Sequence, residues 1–105
     1  MKEQTLVITG MGAVTPVGIG VAAYWSALTR GQCGVGPITR FDASDLPVQI
    51  AAELKGFDPV DFMPKTLART MDPFMQFAFV AAQEALTDSG LAVEAESERI
   101  GIVMG

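Results

Sequence analysis

The glycines that follow the first apolar run are the earliest residues that could do chemistry. The stretch TLVITGMGAVTPVG, residues 5–18, is a β-branched run that leads into Gly10 and Gly12. A dinucleotide-binding fold begins in the same way, and there the N–H groups after the glycines hold a pyrophosphate. The stretch therefore raises the question of a nucleotide site.

The spacing after the glycines does not support that site. The fingerprint needs a third glycine that opens a helix, whereas Thr15 stands in that position and Pro16 follows it. A helix that began at Gly12 would meet this proline in its first turns, where proline disrupts helices. Residues 31–39 also contain no carboxylate to bind a ribose. The glycines are therefore predicted to turn the chain, and no cofactor is expected.

Cys33 is the second candidate, because a thiolate can act as a nucleophile or bind a metal. It lies in the loop GQCGVG just after a predicted helix over residues 20–30, and the negative end of that helix dipole disfavours a thiolate. The chain contains no histidine and no other cysteine. Cys33 is therefore predicted to be a small loop residue, and we expect neither a catalytic residue nor a metal site.

Composition excludes several further classes of protein. The net charge is −5 with only seven basic residues, and half of the residues are hydrophobic. Nucleic-acid binding needs clustered Lys and Arg, and a membrane span needs about 20 apolar residues in a row. Neither pattern is present, nor is a signal peptide. A single cysteine fits a reducing compartment. We therefore expect a cytoplasmic globular protein that binds neither nucleic acid nor membrane.

The remaining pattern is that of an α/β chain. Gly31 stands where a left-handed residue would end the first helix, and a short helical turn is predicted from Pro64 to Arg69. Short β-rich runs predict three strands: a buried strand over residues 5–9, a half-exposed edge strand over residues 48–55 and a buried strand over residues 99–105.

The helix predicted over residues 73–88 has two apolar faces. Asp72 and Pro73 mark its start, Ser89 and Gly90 mark its end, and polar residues cover only a narrow strip. Such a helix is expected to pack between layers on opposite sides. The other predicted elements supply one layer at best, so we expect the 105 residues to be the front of a longer domain.

Five segments in order carry a resemblance to a known family. They are V-I-T-G-M-G-A-V-T-P-V-G, W-x-x-L-x-x-G, A-A-E-L-K-x-F-D-P, M-D-P-F-M-Q-F-A-x-x-A-A-x-E-A-L-x-D-S-G-L and R-I-G-I-V-M-G. Together they resemble the amino-terminal quarter of a β-ketoacyl-acyl-carrier-protein synthase, closest to the type II enzymes of bacterial fatty-acid synthesis. The resemblance implies a thiolase-like fold of five layers, αβαβα, of which residues 1–105 are the N-terminal fragment.

The same resemblance implies an acyltransferase that performs a decarboxylative Claisen condensation. A cysteine thiolate takes an acyl chain from acyl carrier protein, malonyl-carrier protein loses CO₂, and the resulting enolate attacks the acyl thioester. Two histidines stabilise the developing negative charges. In the family these three residues lie beyond the segment matched here, so we expect the chain to be inactive alone. The full-length enzyme is expected to be a homodimer.

One functional feature of the family falls within the chain. Relatives contact the acidic carrier protein through basic residues just before the Met-Asp pair, and here Lys65 and Arg69 occupy that stretch at a spacing of i and i+4. Thr66 and Thr70 stand at positions where relatives often have basic residues, so this stretch carries fewer positive charges than it does in those relatives. Two solvated charges without a partner are the alternative interpretation.

Two other functions stay open at the level of sequence. One is a polyketide ketosynthase or its chain-length-factor partner, which lacks the active cysteine. The other is a non-catalytic remnant that binds a partner by strand pairing.

Overall fold

The structure is a computed structural model that describes residues 2–105. This part of the chain contains three helices and two short hairpins, joined by loops. Two single 3-10 turns, Pro59–Asp61 and Ser97–Arg99, lie between and after them. In chain order the elements are β1 Val14–Thr15, β2 Gly18–Ile19, α1 Val21–Thr29, β3 Val35–Pro37, β4 Ile50–Ala52, α2 Lys65–Ala68 and α3 Pro73–Ser89.

The predicted helix ends are confirmed by backbone geometry. Gly31, just after α1, has φ +67°, and Gly90, which ends α3, has φ +66°, a left-handed conformation that glycine adopts without a Cβ clash. Asp72 has the extended backbone of an N-cap and Pro73 is the first helical residue, as predicted. The Asp72 side chain, however, makes no capping hydrogen bond.

The two hairpins are antiparallel and small. β1 pairs with β2 across the turn Pro16-Val17, and β3 pairs with β4, with Gly36 opposite Ala51. The strand predicted over residues 48–55 is thus present as the shorter β4. Its partner β3 begins inside the predicted loop GQCGVG, and β1 and β2 follow the glycines that were predicted only to turn the chain.

Glu53 fastens the segment after β3 to the end of β4. Its carboxylate accepts hydrogen bonds from the Thr39 hydroxyl at 2.8 Å, the Thr39 N–H at 3.1 Å and the Arg40 N–H at 3.2 Å. These bonds, the Thr39 side chain first, hold the pKa of Glu53 below its ordinary value.

The strands predicted over residues 5–9 and 99–105 are not formed among residues 2–105. Both stretches are without strand pairing, and they are strongly exposed, with Leu6 at 92% and Val103 at 96%. A strand is defined by hydrogen bonds to a neighbour, and neither stretch meets one in the described chain. Both predictions of a buried strand are therefore wrong for the described residues, because apolar composition does not by itself supply a pairing partner.

The core lies where α2 meets α3. Met63, Ala68 and Val80 are buried there, and Val14 and Phe79 pack against them among others. The prediction that this chain supplies only one layer against α3 is confirmed for the described residues, because Phe74 on the other side of α3 is 70% exposed. One layer covers α3 and the opposite face is open.

The open faces give the molecule a large surface for its size. Its radius of gyration is 17.3 Å, whereas a compact domain of about 100 residues has roughly 13 Å. Its accessible surface is 8504 Å², against roughly 5,700 Å² for a compact monomer of this mass. No helix within residues 2–105 has the length and apolar character needed to cross a membrane.

Candidate functional site

Lys65 and Arg69 form an exposed basic surface at the two ends of α2. The Arg69 N–H donates to the Lys65 carbonyl at 3.1 Å, so the two residues lie on successive turns of the same helical face. This is the i and i+4 relationship predicted from the sequence. Both side chains are exposed.

The basic surface is held on a defined platform. Ala68 is buried against the core beneath it. The Gln76 side-chain amide of α3 donates to the Ala68 carbonyl at 3.0 Å and to the Met71 carbonyl at 3.3 Å. These bonds tie the end of α2 and the turn that follows it to α3. The position of Arg69 is therefore fixed relative to α3.

Neither cation forms an ion pair with a carboxylate of residues 2–105. Within residues 2–105 the one ion pair joins Arg99 to Glu96, at 3.0 Å. Thr66 and Thr70 are exposed beside the two cations, and the Thr70 hydroxyl is turned back onto the Leu67 carbonyl at 2.7 Å. The basic surface can therefore attract an anionic partner.

The glycine loop lies flat on α3 and serves packing. A Cβ on Gly12 would overlap the carbonyl oxygen of Ala81, and a Cβ on Gly10 would overlap that of Ala85. Glycine is required because the two backbones touch. The glycines also turn the chain into the β1 hairpin, which agrees with the interpretation from sequence.

The N–H groups of this loop are bound by two carboxylates of α3. The Met11 N–H donates to Asp88 at 3.1 Å, and the Ala13 N–H donates to Glu84 at 2.9 Å. A phosphate would therefore find occupied donors and negative charge at this loop. Sequence reasoning treated Glu84 only as part of a polar strip, although an acidic pair at i and i+4 on an otherwise apolar helix was a usable signal.

Cys33 lies in an exposed loop, three residues after the C-cap residue of α1. This is the loop position predicted from the sequence. In the described part of the chain, no three His, Cys, Asp or Glu residues come together as a possible metal site.

Comparison with known proteins shows which family the chain is similar to. The sequence model of the family "Beta-ketoacyl synthase, N-terminal domain" matches residues 3–105. The chain is 46% identical to the 3-oxoacyl-[acyl-carrier-protein] synthase 2 of Coxiella burnetii, an alignment that covers 100% of this chain and 26% of that protein. It is 45% identical to the "Oxytetracycline polyketide putative beta-ketoacyl synthase 1" of Streptomyces rimosus, with 97% of this chain and 24% of that protein covered.

A solved structure agrees with these relatives. "The ishigamide ketosynthase/chain length factor" superimposes with a TM-score of 0.71 and 34% identity, over 84% of this chain and 22% of that one. The fold is thus the N-terminal part of a thiolase-like ketosynthase fold, as the resemblance implied. The chain spans about a quarter of the length of the curated relatives it matches. It belongs to the β-ketoacyl synthase family, whose N-terminal domain it matches.

Proposed function

We propose that the chain is the N-terminal part of a 3-oxoacyl-acyl-carrier-protein synthase II. The parent enzyme is an acyltransferase that condenses acyl and malonyl thioesters in fatty-acid elongation, with loss of CO₂. The observation that carries this proposal is the match along the whole chain to a relative of that name, at 46% identity. No step of the chemistry is assigned to residues 2–105.

Within the parent enzyme, the role we assign to this chain is to receive acyl carrier protein. Lys65 and Arg69 are exposed, lie on one face and have no carboxylate partner in the described chain. Their charge is opposite in sign to the net charge of −5 that the chain carries as a whole. An acidic carrier protein would be attracted to this surface over about a Debye length, roughly 10 Å at 0.1 M salt. The parent enzyme is proposed to act as a homodimer.

A hybrid enzyme tests the proposal. In it, this chain replaces the matching quarter of the Coxiella burnetii relative, and the rest of that protein follows. The expected result is a soluble dimer that elongates acyl-carrier protein with malonyl-carrier protein. A hybrid that folds as a dimer but does not condense these substrates contradicts the proposal, and the unaltered relative is the positive control.

A second candidate function is supported by two of the comparisons. The Streptomyces rimosus relative is named a polyketide beta-ketoacyl synthase, and the superimposed structure is named a ketosynthase/chain length factor. Joining the chain to the remainder of the Streptomyces rimosus relative gives the matched hybrid. If only this second hybrid folds and is active, the polyketide assignment replaces the fatty-acid one. The sequence encoded after Gly105 separates a condensing enzyme, which has the cysteine nucleophile, from a chain length factor, which lacks it.

A further inference from the structure

Glu84 joins three elements that are distant in sequence. Its two carboxylate oxygens accept separate hydrogen bonds, one from the Ala13 N–H at 2.9 Å and one from the Val21 N–H at 3.0 Å. Ala13 lies in the glycine loop and Val21 is the first residue of α1, while Glu84 belongs to α3. One side chain therefore ties the loop and α1 to α3.

The N-terminus of α1 depends on this contact. Gly20 precedes α1 and has no side chain with which to cap it, and the first turn of α1 contains no acidic residue. The first N–H groups of a helix have no partner inside the helix and carry partial positive charge. The Glu84 carboxylate supplies both the acceptor and the charge from a different helix.

Residues 10–20 are called the strap here; they include Ala13 and end just before Val21, the two residues whose N–H groups Glu84 binds. A hydrogen bond from the Gly20 N–H to the Ala13 carbonyl, at 2.8 Å, closes it upon itself. Asp88 holds its far end through the Met11 N–H. Gly10 and Gly12 let it contact α3 closely. The strap thus has two fastening points on α3, and Glu84 is the one that also holds α1.

We propose that Glu84 is a latch that holds the strap and α1 on α3 as one unit. Loss of the latch frees the strap and the start of α1 while α3 and the β3–β4 hairpin stay folded. The proposal goes beyond carrier-protein docking and does not depend on it.

Hydrogen exchange in the 105-residue chain tests the latch, with Glu84→Gln as the mild variant and Glu84→Ala as the complete one. A carboxamide has one acceptor oxygen for two N–H donors, so at least one bond is lost in Glu84→Gln. Bonds to charged acceptors are strong, so we expect the Ala13 or Val21 amide to exchange about tenfold to a hundredfold faster. In Glu84→Ala both amides should do so.

Two comparisons within the same experiment decide the result. Glu94→Gln makes the same chemical change at an exposed glutamate, and it should leave the Ala13 and Val21 amides unchanged. The amides of Val80 in α3 and Ala51 in β4, which lies opposite Gly36, measure general unfolding. Unchanged exchange at Ala13 and Val21 in Glu84→Ala overturns the latch. Equal acceleration at all four amides in both Glu84 variants also overturns it, since the effect would then be global stability alone.

Discussion

Gly12 lies directly against the carbonyl oxygen of Ala81, and this contact sets how closely the strap approaches α3. The obstacle to a side chain at Gly12 is main-chain atoms of a helix, which cannot rotate away as a side chain can. Backbone conformation is not the obstacle, because the φ of Gly12 is not positive. Glycine is therefore required at this position because there is no room for a Cβ atom.

Gly12→Ala is expected to destabilise the fold by about 1–3 kcal/mol, the usual cost of forcing an extra methyl group into a packed contact. Gly36→Ala is the matched control. Gly36 also has no positive φ, and a Cβ there meets no atom within 4 Å. The free energy of unfolding in urea measures both. Equal effects of the two substitutions would show that the close approach at Gly12 is not real.

Cys33→Ala is expected to change turnover of the hybrid enzyme by less than about twofold, because exposed loop substitutions have small effects. The 105-residue chain alone should form no acyl-enzyme with acyl-carrier protein and should release no CO₂ from malonyl-carrier protein. Mass spectrometry of the intact chain and CO₂ release measure these outcomes. A loss of several orders of magnitude in the Cys33→Ala hybrid would identify Cys33 as the nucleophile and reject our assignment.

The chain alone is expected to associate or to be poorly soluble. Leu6, Ile8, Ile102 and Val103 are each more than 80% exposed, and Phe74 is exposed on the open face of α3. Exposed apolar patches and unpaired extended backbone both promote association. Light scattering at micromolar concentration measures it. A sharply melting monomer of 11.1 kDa would contradict this prediction.

The sequence predicted the helices well because their signals are local. Asp72, Pro73 and Gly90 fix the two ends of α3 within a few residues of chain, and Gly31 does the same after α1. Helix capping and the left-handed conformation of a glycine at a helix end depend mainly on residues nearby in sequence, and little on the rest of the fold. The spacing of Lys65 and Arg69 was predictable for the same reason.

The strands and the latch could not be predicted in this way. Residues 5–9 have the composition of a strand. A strand also needs a neighbouring strand to pair with, and composition does not show where that neighbour lies. Glu84 bonds to residues 63 and 71 positions earlier in the chain. A local pattern shows that this residue is acidic and on a helix, and the contact itself comes only from tertiary structure.

Thr39→Val is expected to make stability less dependent on pH in acid. The folded pKa of Glu53 is lowered, so its stabilising contribution is present above its ordinary value of 4.5 and is lost as pH falls through the folded pKa. Valine removes the Thr39 hydroxyl, which is the largest cause of that shift. Urea unfolding between about pH 5 and pH 3 should therefore show a shallower fall in Thr39→Val.

Asp42 provides the internal reference for this experiment. Hydrogen bonds from Ser44, the side chain first, lower the pKa of Asp42, so its contribution is also lost as pH falls. Thr39→Val leaves that contribution in place, and some pH dependence should remain. An identical fall in the two proteins would mean that the Thr39 hydroxyl does not set the pKa of Glu53.

Reversal of both charges on the basic surface is expected to weaken carrier-protein binding by the hybrid enzyme. Exposed charge pairs contribute only about 0.2–1 kcal/mol each, so Lys65→Ala or Arg69→Ala alone should raise the KM for acyl-carrier protein a few-fold at most. The double variant with Glu at both positions should raise it further, because like charges repel. The change should lie mainly in the association rate.

Salt and substrate size separate docking from a general defect. The effect of the double reversal should shrink between 0.1 M and 1 M salt, as the Debye length falls from about 10 Å to about 3 Å. Decarboxylation of a small malonyl thioester, which has no carrier protein to dock, should be unchanged. Thr66→Glu adds one negative charge beside the two cations and should give a smaller effect of the same sign. If the double reversal leaves the KM unchanged at low salt, Lys65 and Arg69 are solvated surface charges and the docking assignment is wrong.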